Sequence, residues 1–172
     1  MKNKIFVTIG TTLFIFCFVI FYKGLQKPNI YKPLLEGEIN LPNFTSYDFF
    51  SNEKILSEEL IKEGSYYIIN VWASWCVPCR SEHNFLMSLK SKNFQLIGIN
   101  YKDNKNNAQV FLQELGNPYS KILSDKNGTL SIELGAYGVP ETLIINKNKK
   151  IIKKIIGPIN DQNFSELLKI IK

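Results

Sequence analysis

With a single arginine, a single histidine and three cysteines in 172 residues, the chain is poor in residue types that several function classes require. Its formal charge of +6 is carried almost wholly by scattered lysines. No basic stripe interleaved with aromatics is present, so nucleic-acid binding is not expected. A structural zinc site needs about four ligands. One C-x-x-C pair, with His83 as the only histidine, falls short of that set, and no metal or other cofactor is expected. No internal repeat is visible, and the lysine and asparagine enrichment reads as compositional bias rather than a low-complexity tract. The length excludes two well-buried cores, while 45% hydrophobic and 21% charged residues suffice for one α/β domain with accessories.

Charge is also missing from residues 5–22 (IFVTIGTTLFIFCFVIFY). As a helix these 18 residues span about 27 Å, against a hydrocarbon core of roughly 30 Å. A cleaved signal peptide and a retained anchor compete for the segment. No A-x-A-like site follows it and the run exceeds the usual signal-peptide core, so residues 1–22 are expected to be an uncleaved anchor. Cys17 lies inside the run and reads as an inert small hydrophobe. Ile15 and Phe16 before it do not make the small-residue run of a lipoprotein cleavage site. Lysines flank the span on both sides and orient it little. The short head favours leaving it in the cytoplasm and exporting the domain. Residues 23–37, with Pro28 and Pro33, read as a tether, and residues 38–172 as the folded domain.

Along that domain strand-like and helix-like segments alternate, which argues for an α/β fold. A short strand is expected within 44–49, and a helix over 57–62 with Ser57 as N-cap. Residues 66–72 (YYIINVW) form an apolar, β-branched run suited to a strand buried on both faces. Helical spacing of Phe85, Leu86 and Leu89 follows over 77–91. A second buried strand is expected over 94–101, then a helix over 106–115 with Val110, Phe111 and Leu115 inward and Gly116 as its stop. A strand over 121–124, a turn at 125–128 and a short helix ending near Gly135 come next. The runs 141–146 and 151–157 read as an antiparallel hairpin, and 160–171 as an amphipathic closing helix.

The chemistry-bearing motif is Cys76-Val77-Pro78-Cys79 at the junction of the first buried strand and the helix after it. Two cysteines so spaced can close a small disulfide ring. A thiolate at a helix N-terminus is stabilised by unpaired amides and the positive dipole end, so Cys76 is the expected nucleophile. Cys79, one turn in, is the expected resolving thiol. Pro78 is tolerated because first-turn amides lack intrahelical partners. Arg80 reads two ways, as a cation leaning toward the thiolate or as a solvated side chain. Glu82 likewise reads as a proton acceptor working through water or as an exposed helix glutamate. His83 reads first as a local hydrogen-bonding residue, and Cys76, Cys79 and His83 together pose the runner-up from another class, a soft-metal site such as that of a copper chaperone.

The combination of WASWCVPCR (72–80) with GAYGVPET (135–142) resembles the thioredoxin superfamily, Pro140 matching its cis-proline. The apolar N-terminus, the continuation Arg80-Ser81-Glu82-His83, GINYKD (98–103), ELGNPY (114–119) and YGVPET (137–142) look like the cytochrome c biogenesis thioredoxins, the CcmG/DsbE family. The likeness covers roughly residues 38–172. It implies a thioredoxin-like fold, a central mixed sheet flanked by helices, behind an N-terminal transmembrane helix. It also implies a Cys76–Cys79 disulfide, acidic positions at Glu82 and Glu141 that tune or relay protons, and substrate backbone pairing at Val139 and Pro140, with Trp75 and Arg80 as further substrate contacts. The activity implied is that of a monomeric, inner-membrane, periplasm-facing reductant of apocytochrome c, recharged by a membrane thiol-disulfide transporter. A general extracytoplasmic reductase, an oxidant and the copper chaperone stand as alternatives. One departure matters. Ordinary thioredoxins carry a buried aspartate where this chain has Asn70, which cannot take a proton.

Overall fold

Backbone groups taken out of water must pair with one another, and a computed structural model describes how residues 2–26, 38–90 and 94–171 achieve this. The chain divides into two units, Met1–Leu34 and Leu35–Lys172. In the first, α1 (Lys2–Gln26) carries an apolar stretch, Lys4–Gly24, of mean hydropathy 2.4, long enough to cross a membrane. Its threonines suit that environment: the hydroxyls of Thr8, Thr11 and Thr12 bond back to carbonyls one turn earlier. The helix continues past Tyr22 through Gln26, so the first residues of the expected tether are helical; residues 27–37 of that tether lie outside the described residues.

In the second unit the elements are β1 (Ile39–Asn40), β2 (Thr45–Asp48), β3 (Lys54–Leu56), α2 (Ser57–Leu60), β4 (Tyr67–Trp72), α3 (Val77–Leu89), β5 (Gln95–Tyr101), α4 (Lys105–Leu115), β6 (Lys121–Asp125), α5 (Thr129–Glu133), β7 (Glu141–Ile145), β8 (Lys150–Ile156) and α6 (Asp161–Ile170). One mixed sheet runs β1-β8-β7-β4-β5-β6-β2-β3. Its centre, β4-β5-β6, is parallel; β7 and β8 extend it antiparallel on one side, β2 and β3 on the other. Strand alternation divides the core between two faces. Ile68, Trp72, Leu96, Ile122 and Ile144 pack with Leu86 and Leu89 of α3, Phe111 of α4 and Leu167 of α6. Ile69, Val71, Ile97, Ile99, Leu123 and Leu143 pack with Ile61, Leu130 and Leu134. A row of paired residues, Thr142–Asn70–Gly98–Ile122, crosses β7, β4, β5 and β6.

The fold agrees with the expected thioredoxin-like arrangement and corrects several local expectations. Ser57 does not cap α2: Leu56 holds that position, and the Ser57 hydroxyl accepts from the amide of Phe44 instead, at 3.1 Å. Val110 faces outward; Ala108 and Leu112 share the inner face of α4 with Phe111, because positions 108, 111, 112 and 115 recur on one side of a helix and 110 does not. Helix α3 ends at Leu89, and the expected Ser91 end lies outside the described residues. Strands β1 and β3 were not foreseen; at two and three residues they are too short for an alternating pattern to register. Asp125 belongs to β6, and its carboxylate caps α5 by accepting from the amides of Leu130 and Ser131.

Phe111 braces the helix layer, its ring centroid 5.2 Å from both Trp72 and His83, with Arg80 lying over it at 5.0 Å. Phe111→Ala is expected to lower unfolding free energy by about 3–5 kcal/mol, measured by urea titration of the full chain in detergent.

Candidate active site

The turn from β4 into α3 is held from outside. Asp103, in the β5–α4 connection, accepts the Ser74 amide at 2.6 Å and the Ser74 hydroxyl at 2.7 Å, and it also accepts from Asn104 N and Asn100 Nδ2. The Trp75 indole N–H donates to the Lys102 carbonyl at 3.1 Å. So braced, the chain enters the helix with Cys76 in extended conformation as N-cap and Pro78 in the first turn. Cys76 and Cys79 are joined at an S–S distance of 2.05 Å, and Cys76 Sγ accepts the Cys79 amide at 3.1 Å. This hydrogen bond is the sulfur form of an N-cap interaction, and it would strengthen on a thiolate. Both cysteines are buried, while Trp75 and Val77 beside them are 56% and 79% exposed.

One turn further along α3, Glu82 is fully buried. One of its oxygens accepts Asn70 Nδ2 at 2.9 Å, the other the backbone amide of Ile159 at 2.8 Å. Asn70, also fully buried, donates in addition to Thr142 Oγ1 at 3.0 Å, and its carbonyl accepts the Tyr119 hydroxyl at 2.8 Å. Burial pushes the Glu82 carboxyl up to about 7, against the opposing pull of the Ile159 and Asn70 hydrogen bonds. The exposed-glutamate reading of Glu82 is thereby excluded. Burial, and then the charge of Glu82, raise Tyr119 well above its usual range, so it stays a donor. Tyr119 and Thr142 lie in the motifs ELGNPY and YGVPET that carry the resemblance, with no role assigned to either from the sequence, and Ile159 acts through its backbone, which no side-chain pattern reveals.

The loop leading into β7, whose Glu141 pairs with Val71 near the end of β4, ends in a cis Val139–Pro140 peptide. Glu141 is buried beneath it, and one carboxylate oxygen accepts the amides of both Tyr137 and Gly138 at 2.9 Å. The other lies 2.6 Å from Lys154 Nζ. That ammonium, with three hydrogens to place, also donates to the Gly135 carbonyl and so ties Glu141 to the turn at Gly135. Lys154 also lies over the exposed Tyr137 ring, 5.0 Å from its centroid.

Two residues beside the dithiol in sequence take defined places. Arg80 pairs with Glu114 at 3.2 Å, on a half-exposed surface, and covers Phe111. The i+4 spacing brings it equally within reach of α4, where a carboxylate and an aromatic face both wait. His83 is buried and its Nε2–H donates to the Gly116 carbonyl at 2.9 Å, while burial lowers its basicity. It is therefore a satisfied core residue, and no cluster of three or more His, Cys, Asp or Glu suited to a metal ion occurs among the described residues.

The raised Glu82 links folding to pH. Its folded-state carboxyl keeps a proton up to about 7, whereas the unfolded chain releases it near 4.5. The folded state therefore holds more protons within this window, and stability falls as pH rises through it, by about 3 kcal/mol in all, then levels off. Urea titrations of the oxidised chain from pH 4.5 to 8 should show this decline, and Glu82→Gln should abolish it.

The Redoxin family model matches residues 38–171. The thiol:disulfide interchange protein DsbE of Vibrio cholerae is 35% identical over 172 residues, covering 96% of this chain and 92% of that protein. DsbE of Escherichia coli K12 is 36% identical over 129 residues, 75% of this chain and 70% of that one. A DsbF homologue from Corynebacterium diphtheriae shares the fold, with a TM-score of 0.66 at 21% identity over 84% of this chain and 99% of that one. The chain thus belongs to the redoxin family and, within it, to the DsbE-type thiol:disulfide interchange proteins, and its dithiol is that of a thiol-disulfide oxidoreductase.

Proposed function

We propose that this protein is a single-pass, inner-membrane reductant whose domain, residues 38–172, faces the periplasm and reduces the disulfide of the CxxCH haem-attachment motif in apocytochrome c. Residues 1–22 anchor it and 23–37 tether it. The resemblance to the cytochrome c biogenesis thioredoxins supports the substrate and the direction of electron flow. The observation that carries the chemistry is the Cys76–Cys79 pair with a buried carboxyl, Glu82, one helical turn deeper.

In the reduced enzyme the Cys76 thiolate, held by the α3 N-terminus, attacks one sulfur of the substrate disulfide. That bond breaks, the leaving thiolate takes a proton from water, and a mixed disulfide forms through Cys76. Cys79 then gives its thiol proton to the Glu82 carboxylate and attacks Cys76 Sγ. The second substrate thiolate leaves, and Cys76–Cys79 closes with two electrons delivered to the substrate. A membrane thiol-disulfide transporter returns those electrons, and Glu82 releases its proton. Val139 and Pro140 present backbone for pairing with the extended substrate. Glu141 fixes that loop through the Tyr137 and Gly138 amides. Trp75 and, at the rim beside Glu114, Arg80 border the surface the substrate crosses. The domain acts as a monomer and needs no cofactor for these steps.

Two measurements test this. Cys79→Ser expressed in a cytochrome c-producing bacterium should accumulate a mixed disulfide through Cys76, and mass spectrometry should identify apocytochrome c. Capture of many unrelated exported proteins would replace the specific reading with a general reductase or oxidant. In stopped-flow reactions with a CxxCH disulfide peptide, resolution by Cys79 should rise with pH through about 7 in the wild type, where Glu82 ionises. Glu82→Gln should lack that rise and resolve roughly 10²-fold more slowly at pH 8; an unchanged profile would remove Glu82 from the proton path.

A further inference from the structure

We infer that Tyr119 is a positioning residue for the reaction: through Asn70 it fixes which face of a buried amide meets Glu82, and so favours the ionised, proton-accepting form of that carboxyl. The inference deepens the reading of Glu82 as the proton acceptor and rests on it.

Geometry carries the argument. Asn70 is fully buried and has one acceptor and two donor hydrogens. Its donors go to Glu82 at 2.9 Å and Thr142 at 3.0 Å, and its acceptor receives Tyr119 Oη–H at 2.8 Å. An ionised carboxylate only accepts hydrogen bonds, so the amide must turn its NH2 to Glu82. The Asn70 carbonyl then faces Tyr119, whose hydroxyl satisfies it. Without that hydroxyl the carbonyl is buried with no donor and the amide is no longer polarised from its oxygen side, so its Nδ2–H bond to an ionised Glu82 weakens. Loss of one phenolic oxygen thus favours the neutral acid.

The approach of Tyr119 is built into the sheet. Asn70 pairs with Gly98 across β4 and β5. A Cβ at position 98 would lie 2.9 Å from both Tyr119 Cγ and Trp72 Nε1, so the ring reaches Asn70 by passing over a residue without a side chain. Trp72 stacks on Tyr119 at 5.6 Å between centroids and holds it there. Around Glu82 the titratable groups are Cys79 on its own helix and Tyr119. From β7 comes the uncharged Thr142, and from the β8–α6 connection the Ile159 amide. Glu141, next to Thr142, is engaged by Tyr137, Gly138 and Lys154.

The test is a 13C-carboxyl NMR titration of the oxidised full chain in detergent micelles, the Glu82 signal being the one absent from Glu82→Gln. Tyr119→Phe should raise the Glu82 midpoint by about one pH unit, the size expected for losing part of a hydrogen bond to a charged group. In an Asn70→Ala background, Tyr119→Phe should produce no further shift. A Glu82 midpoint unmoved by Tyr119→Phe overturns the inference, and so does a shift that persists without Asn70. In the reduced enzyme the pH profile of Cys79 resolution should move upward by the same amount. The titration reads the carboxyl and not turnover, so it stands or falls separately from the role of Glu82 in resolution, which Glu82→Gln tests.

Discussion

A carboxamide removed wholly from water has to find a partner for every hydrogen it carries and for its oxygen, and the amide of Asn70 imposes that requirement on three neighbouring segments at once. Glu82 comes from the dithiol helix, Thr142 from β7, Tyr119 from the segment leading into β6. Glu82 passes the constraint on to the Ile159 amide, just before α6. The helix that bears Cys76 and Cys79 is thereby registered against the sheet centre and the C-terminal segment by directional bonds as well as by apolar packing. A shift of α3 along its axis would break bonds in a dry interior, where each unmet group costs about 1–3 kcal/mol.

Around this centre the two loops that flank the dithiol are organised by the same device. Asp103 accepts the Ser74 and Asn104 amides; Glu141 accepts the Tyr137 and Gly138 amides. In each case one carboxylate collects amides that a tight turn leaves without carbonyl partners. The outer surface can then carry exposed Trp75, Val77 and Tyr137 on backbone that is fixed from beneath. Rigid support and apolar exposure together suit a binding surface.

The sequence displayed the elements whose physics is local. The β4 run of apolar and β-branched residues, the Cys76–Cys79 spacing at a strand–helix junction and the polar turn between β7 and β8 each signal through neighbours in the chain, and each stands where expected. Arg80 and His83 were less legible because a helix presents several faces. Spacing from Cys76 and Cys79 says which residues share a side, and only the packing of α4 decides that Arg80 turns to Glu114 and His83 to Gly116. Glu82 was visible as a residue and invisible as a buried one. Its burial depends on the Ile159 amide, 77 positions away, and on an asparagine 12 positions earlier. Strands β1 and β3 owe their existence to the edges they cover and carry no pattern of their own.

Asparagine at position 70 and glutamate at position 82 also make sense only as a pair. An aspartate at 70 would place two carboxyls at hydrogen-bond distance in a dry site, where both cannot ionise, and one would hold a proton well above neutrality. A dry site of this kind therefore holds one charged carboxyl, on the strand or on the helix, but not both. With the amide on the strand, the single carboxyl sits on α3 itself, one turn below Cys79, and the strand residue supplies a donor that supports its ionisation. The displacement of the acid from sheet to helix is thus compensated by the chemistry of the residue left behind. Asparagine combines the NH2 that an ionised Glu82 needs with a carbonyl that Tyr119 can hold, whereas aspartate would offer Glu82 a second negative charge.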